Sequence, residues 1–297
     1  MKPACRMAAA AVLSLPVLLT GCRFTTRKLP VPKPPLVTET ATAAVLVDRL
    51  NQRWAALDTL NVKVEIQLSV LKAQEGLAKD YTSIPGRILL RKPEMLRVLG
   101  QVPVLGTRMF DMVSDGKEFT LWIPSQKQAF KGPNSLKKKS LKQVENIRPG
   151  FFFDAMVVRG LEPDDWYGVV ADSETVEDAN RKHLYLVPEY VLSISRHKPG
   201  SLQLTPVRVI TFHRDDLQPY QQDIYDGEGN LETQVFYAAY QNFGSSSYPT
   251  RVTIKRPIEE LEIVLSVEDV KENQTPALTD DQFLVKIPEG TKVQKLE

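Results

Sequence analysis

The spacing of apolar residues changes once, early in the chain, and the change marks a helix followed by a strand. Over residues 40–57 the side chains of Val47, Leu50, Trp54 and Leu57 stand at i, i+3, i+7 and i+10, one face of a 3.6-residue helix. Thr40 or Thr42 is placed to cap it. Over residues 62–70 the order is Val-Lys-Val-Glu-Ile-Gln-Leu-Ser-Val, a strict alternation. That period predicts a half-buried strand with Val64, Ile66 and Leu68 inward and Lys63, Glu65 and Gln67 in water.

Strand signals then recur at residues 86–91, 95–100, 107–114 and 117–123, with Asp115-Gly116 as the hairpin turn between the last two. A weaker one covers 126–131. Helix returns across residues 135–161, first Lys-rich, then Arg148-Pro149-Gly150 and the apolar run from Phe151 to Val158. Strands resume at 166–171, 183–187, 191–196, 206–214, 221–225, 234–240, 250–255 and 262–267, with a short ending at 283–285. No βαβ rhythm and no self-similar repeat is visible, which argues against a parallel sheet, a propeller or a solenoid. The expected fold is α+β: a large curved antiparallel sheet, an incomplete β-barrel of about 11–12 strands, with a helix before it and helices inserted midway. Only one face of such a sheet can meet water. The other needs helices over it, or a cavity.

The first residues carry a different signal. Lys2 and Arg6 precede an apolar run at 7–19 that is broken by Pro16 and too short to span a bilayer. It ends in Leu19-Thr20-Gly21-Cys22, which resembles the bacterial lipobox. The resemblance implies cleavage before Cys22 and diacylation of its thiol, so that membrane lipid is held through Cys22. An ordinary secretory signal containing a chance cysteine is the other reading. The division expected is a signal peptide at 1–21, a Pro-rich tether at 22–39 and one domain at 40–297. Pro30, Pro32, Pro34 and Pro35 favour an extended polyproline II tether, about 3.1 Å per residue. Arg23 stands where, by resemblance to enterobacterial sorting rules, Asp would retain a lipoprotein in the inner membrane. This implies lipid anchoring in the outer membrane, on its periplasmic face.

Composition removes several function classes. Lys and Arg number 38 against 36 Asp and Glu, a net charge of +2, and Lys2 and Arg6 leave with the signal. A near-neutral chain is not expected to bind nucleic acid. The two cysteines are Cys5, in the signal, and Cys22. A mature chain with one acylated cysteine has no disulfide, no cysteine metal site and no thiol nucleophile. His183, His197 and His213 are too far apart in sequence to form a ligand pair on one helix or strand. Neither a Gly-x-Ser-x-Gly elbow nor a Gly-rich phosphate loop occurs. Catalytic residues, metal and cofactor are therefore expected to be absent. Lys137-Lys138-Lys139, with Lys127, Lys131 and Lys142 near by, reads as a solvated face or as attraction to anionic headgroups.

Three phrases together resemble the LolA/LolB superfamily of lipoprotein carriers and receptors. They are Arg87-Ile88-Leu89-Leu90-Arg91-Lys92-Pro93-Glu94-Met95-Leu96-Arg97, the stretch from Phe110 through Asp115-Gly116 to Pro124, and the ending from Asp280 to Gly290. The resemblance implies an open antiparallel barrel closed by helices over an apolar interior that holds lipid or lipoprotein acyl chains. It implies a non-enzymatic part in lipid or lipoprotein transfer to the outer membrane. Val64, Ile66, Leu68, Phe110, Met112, Phe119, Leu121, Phe152 and Met156 are the expected lining of that cavity. Val102-Pro103-Val104-Leu105-Gly106 matches the place of a protruding apolar loop in the receptor branch, with Val104 and Leu105 as its membrane-inserting tip. The other reading is a buried turn with Leu105 in the core. Phe151-Phe152-Phe153 is either core or a lid beside a Gly150 hinge. An envelope sensor or scaffold lipoprotein with a filled interior is the alternative function. Cargo and oligomeric state stay open.

Overall fold

The computed structural model describes residues 30–32, 38–72, 77–134, 148–244 and 246–296. Cys22 with the signal segment, Lys137-Lys138-Lys139 and the first part of the expected midchain helix lie outside the described residues. The elements are β1 (Pro30–Pro32), α1 (Ala43–Ala56), β2 (Thr59–Lys72), β3 (Leu77–Asp80), β4 (Ile84–Arg91), β5 (Met95–Gln101), β6 (Arg108–Ser114), β7 (Glu118–Ile123), β8 (Gln128–Pro133) and α2 (Gly150–Met156). There follow β9 (Asp165–Glu177), β10 (Leu184–His197), β11 (Leu204–His213), β12 (Pro219–Tyr225), β13 (Leu231–Phe243), β14 (Ser246–Arg256), β15 (Leu261–Glu272) and β16 (Lys292–Lys295). None of the described helices is long and apolar enough to cross a membrane.

All sixteen strands of the described residues belong to one open sheet. Two antiparallel meanders, β4 to β8 and β9 to β15, are joined where β15 returns beside β2, with Ile66 opposite Leu265 and Val64 opposite Val267. Consecutive strands pair through short turns because the alternating segments are punctuated by turn residues, such as Asp115, whose carboxylate accepts the Lys117 and Glu118 amides. Parallel pairs occur only at the extremities described, β1 on β10 and β16 on β8. Residues 30–32, read from sequence as tether, thus lie against the sheet. The sheet runs from β9 at one edge to β16 at the other and does not close into a barrel.

The alternation in β2 holds over its first part, where Val62, Val64 and Ile66 are buried and Lys63 is exposed, while Glu65, Gln67 and Leu68 are all half-buried. Thr42 caps α1 by accepting the Val45 amide. The other end of α1 has no glycine. Its carbonyls are taken instead by Lys92 Nζ on Trp54 and Asn273 Nδ2 on Ala56, while Asn273 Oδ1 accepts the Asp58 and Thr59 amides. These bonds pin α1 to the sheet. Its buried face, Leu46, Val47 and Leu50, packs on Tyr190, Leu192 and Ile194 of β10 and Ile210 and Phe212 of β11. The larger core gathers β2, β4 to β8 and β13 to β15 around α2, whose Phe151, Phe152 and Phe153 are all buried.

Three sequence expectations change. Among the described residues the midchain helix is only the seven residues of α2, since at Val157 the backbone turns extended. The chain must then pass close under α1 at Gly160, where a Cβ would meet Asn51 Oδ1 at 2.7 Å and Trp54 at 3.1 Å. The strands expected at 183–187 and 191–196 are one, β10. Pro188 does not interrupt it, because its ring nitrogen faces the side where β11 has already ended and its carbonyl accepts the Arg214 amide. The ending at 283–285 holds no strand. A short 3-10 turn, Asp280–Phe283, capped by Thr279 and Gln282, buries Phe283 against Leu89 and Leu278.

Candidate functional site

A cavity of about 310 Å³ lies between α1 and the inner face of β11 to β14. Leu50 and Trp54 of α1 and the Leu57 that ends it form one wall, and Met156, the last residue of α2, forms the floor with Val157 and Val158. Phe212, Leu217, Pro219 and Pro249 face them. Helical spacing brings Leu50 and Trp54 to one side of α1, and the same spacing puts Arg49 and Arg53 at the rim.

Three tyrosines complete the wall, and each phenol is hydrogen-bonded within the protein. Tyr248 donates to the Met156 carbonyl, Tyr240 to the Pro219 carbonyl at 2.7 Å, and Tyr237 Oη accepts from Gln222 Nε2 at 3.3 Å. Burial raises all three phenol pKa values above the ordinary range, so they stay neutral. Their polar ends being occupied, the rings present apolar surface to the hollow. At the rim, Arg49 pairs with Glu39 at 2.9 Å and Arg53 holds Glu272 with both terminal nitrogens. The bond to Glu272 is the main reason that the Arg53 pKa is raised. The site is an aromatic-walled, mainly apolar slot with a charged mouth. Another hollow, about 410 Å³, is lined by Arg159, Arg196 and Arg208 together with Asp154, Asp164 and Asp165, which suits polar contents.

The nine residues expected to line a cavity come together, but as solid core. Val64, Ile66, Met112, Phe119, Leu121, Phe152 and Met156 are buried in one cluster, with Leu68 and Phe110 partly buried against it. Only Met156 reaches the hollow. The reason is the volume of α2: Phe151 and Phe152 stack with centroids 4.4 Å apart, and Phe153 packs edge-on to Trp54 at 6.3 Å. All three phenylalanines serve as core. The space left over lies further along, beneath α1.

Val104 and Leu105 stand at the tip of the connection between β5 and β6. Leu105 is 73% exposed and Val104 fully so. The tip is fixed by bonds from the Val102 amide to the Thr107 carbonyl, 2.7 Å, and from the Gly106 amide to the Val102 carbonyl, 3.0 Å. Val104 has a φ of +67°, a conformation that β-branched residues rarely adopt. Leu105 is therefore not core.

The histidines stay separate: His183 bonds Asp178, His197 packs on Trp166 and His213 stacks on Tyr220. Among the described residues no group of three His, Cys, Asp or Glu side chains is placed to hold a metal ion. Arg49, Arg53, Tyr237, Tyr240 and Tyr248 were not singled out by the sequence pattern. The helical spacing of Arg49 and Arg53 beside Leu50 and Trp54 was a usable signal. The tyrosines gave none, because their convergence depends on pairs such as Tyr240 with Pro249 and Gln241 with Tyr248.

No protein-family model matches the chain. No curated protein matches it either. Solved structures do. A DUF1329 family protein from Desulfovibrio piger aligns with 82% of this chain and 95% of its own at 15% identity, TM-score 0.50. A LolA superfamily protein from Nitrosomonas europaea aligns with 83% and 99% at 17% identity, TM-score 0.49. A candidate outer membrane lipoprotein-sorting protein domain from Vibrio parahaemolyticus aligns with 81% and 94% at 12% identity, TM-score 0.49. At such identities the likeness is one of fold alone. A leading helix, a large open antiparallel sheet and a short helix packed in its core are the fold that this chain shares with the DUF1329 family protein.

Proposed function

We propose that the protein is a non-enzymatic, lipid-anchored envelope lipoprotein that seats an acyl chain beneath α1 and meets a membrane through Val104 and Leu105. The observation that carries the reading is the aromatic-walled slot of about 310 Å³, whose phenols are all bonded within the protein. Its volume falls at the small end of ligand pockets. Each methylene moved from water into such a slot gains about 0.8 kcal/mol, so no specific polar ligand is needed to hold a chain. Arg49 with Glu39 and Arg53 with Glu272 make a polar rim at which a chain's end group would meet water. Cys22, acylated, would tether the protein, with Arg23 directing it to the periplasmic face of the outer membrane. Transfer of lipid or lipoprotein between slot and bilayer would use the exposed loop.

The test is mass spectrometry of organic extracts from the purified domain lacking residues 1–22, with a fluorescent fatty acid as a binding probe. Fatty acyl species are expected in the extract, and Ser247→Trp, at the mouth of the slot, should reduce probe binding at unchanged thermal stability. A domain that neither carries nor binds acyl chains would overturn the reading.

A second reading is favoured by one observation, the filled packing of eight of the nine expected lining residues. On it the protein is an envelope sensor or scaffold that binds protein partners. It expects no lipid in the extract and no response to Ser247→Trp.

A further inference from the structure

Among the described residues the sheet ends in a long edge strand. β9 runs for thirteen residues, pairs with β10 on one side, and among the described residues pairs with no strand on the other. Which of its backbone groups face outward follows from Pro188. That residue's carbonyl accepts the Arg214 amide, on the β11 side, so even-numbered residues of β10 face β11 and odd-numbered ones face β9. Their partners Trp166, Gly168, Val170 and Asp172 then bond to β10. The amides and carbonyls of Tyr167, Val169 and Ala171 point away from the sheet. The next outward amide, that of Ser173, is taken by the Asp172 carboxylate at 2.8 Å, which agrees with this parity.

Edge strands of soluble proteins are usually guarded by Pro, Lys, bulges or a covering element. Residues 166–171, Trp-Tyr-Gly-Val-Val-Ala, carry none of the residue guards. Trp166 is 59% exposed and Val170 61%. The remainder of β9 is acidic: Asp172 and Glu174 are exposed on the same face as Trp166 and Val170, and β9 has no basic residue at all.

We infer that β9 is a docking edge for an extended, basic segment of another polypeptide, which adds to the sheet as a further strand. Backbone bonds to Tyr167, Val169 and Ala171 supply the pairing, and Lys or Arg opposite Asp172 and Glu174 supplies the selection. A second copy fits poorly. Antiparallel pairing of two β9 strands through their outward residues, centred on Val169, sets Tyr167 against Ala171 and Trp166 against Asp172, so that Asp172 and Glu174 meet no basic residue on the second copy. The basic edge strand β16 is only four residues long and would cover a third of β9.

The probe is a fluorescein-labelled peptide of alternating valine and lysine, followed by anisotropy against the purified domain. Strand addition puts its lysines on one face, over Asp172 and Glu174. Binding is expected, and it should be lost when alternate peptide amides are N-methylated, which keeps charge and removes donors. Ala171→Pro deletes one outward amide at an exposed edge position, where Pro is tolerated, and should weaken binding at unchanged melting temperature. The double variant Asp172→Lys/Glu174→Lys changes only exposed side chains and should weaken it by about tenfold or more. Equal binding of the N-methylated peptide would show charge attraction without strand addition and overturn the inference. So would unaltered binding by the double variant, or a dimer in sedimentation that Ala171→Pro dissociates.

Discussion

The hydroxyl of Tyr248 donates to the backbone carbonyl of Met156, tying the end of α2 to β14. The bond fixes the floor of the slot beneath α1, since Met156 and Tyr248 both line it. It also explains how a helix of seven residues, too short to be stable alone, holds its position.

Tyr248→Phe keeps the ring and leaves that carbonyl buried without its donor. A loss of about 1–3 kcal/mol in urea unfolding is expected. An unchanged midpoint would mean that the carbonyl finds another partner.

The Arg256 guanidinium, 6% exposed, pairs with Glu259, 3% exposed, at 2.7 Å, bonds Thr233 Oγ1 at 2.6 Å and covers the Phe151 ring. Arg256→Met should cost about 3–5 kcal/mol, because buried Glu259 loses its hydrogen-bonded partner and keeps only the charge of Arg148 near it. The double variant Arg256→Met/Glu259→Leu should recover most of that loss. Denaturant melts of the two variants against wild type measure the difference.

Leu105→Glu changes an exposed tip residue, so stability should move by no more than about 0.5 kcal/mol. Association with phospholipid vesicles should fall, as should transfer of bound lipid to them. Vesicle co-sedimentation with parallel thermal melts separates the two effects. Retention of both activities would remove the loop from the mechanism.

Cys22→Ser should abolish acylation and release the protein from membranes into the soluble envelope fraction. Fractionation and intact-mass measurement check it. A variant that stays membrane-bound and is cut at the same place would defeat the lipobox reading.

Glu189 is buried, and burial raises its pKa above the ordinary carboxylate value, reinforced by Glu174 and Asp172, while the bond from Tyr220 and the nearness of His213 oppose the shift. The folded protein therefore holds this proton more tightly than the unfolded chain. Stability from this group is full below the unfolded pKa and is lost as pH rises through the raised folded one. Glu189→Gln cannot ionise. Its stability relative to wild type should rise across that window and level off above it, as read from urea midpoints in a pH series. A constant difference would show that the carboxyl titrates alike in both states.

Local periods carry much of this fold. Alternation in β2 set Val64 and Ile66 against Lys63 because successive side chains of a strand point to opposite faces, whatever the neighbouring strand is. The amphipathic spacing of α1 and the Asp115-Gly116 turn are legible for the same reason, being settled within one element. The exposure of Leu105 was left open between two readings, since a short apolar turn looks the same whether it packs inward or projects.

What the sequence determined by itself was parity, punctuation and the order of helix and strands. Tertiary structure decided the rest. The sheet joins at β2 and β15, and α1 is held by Glu272 and Asn273, more than 200 residues further along. The residues read as a cavity became packed core because the three phenylalanines of α2 fill the space that alternation alone leaves undetermined. The slot appeared instead where α1, the end of α2 and β11 to β14 converge without filling the volume between them. Periodicity states which way a side chain points. Only the pairing of distant strands, and the volume left between them, states what it points at.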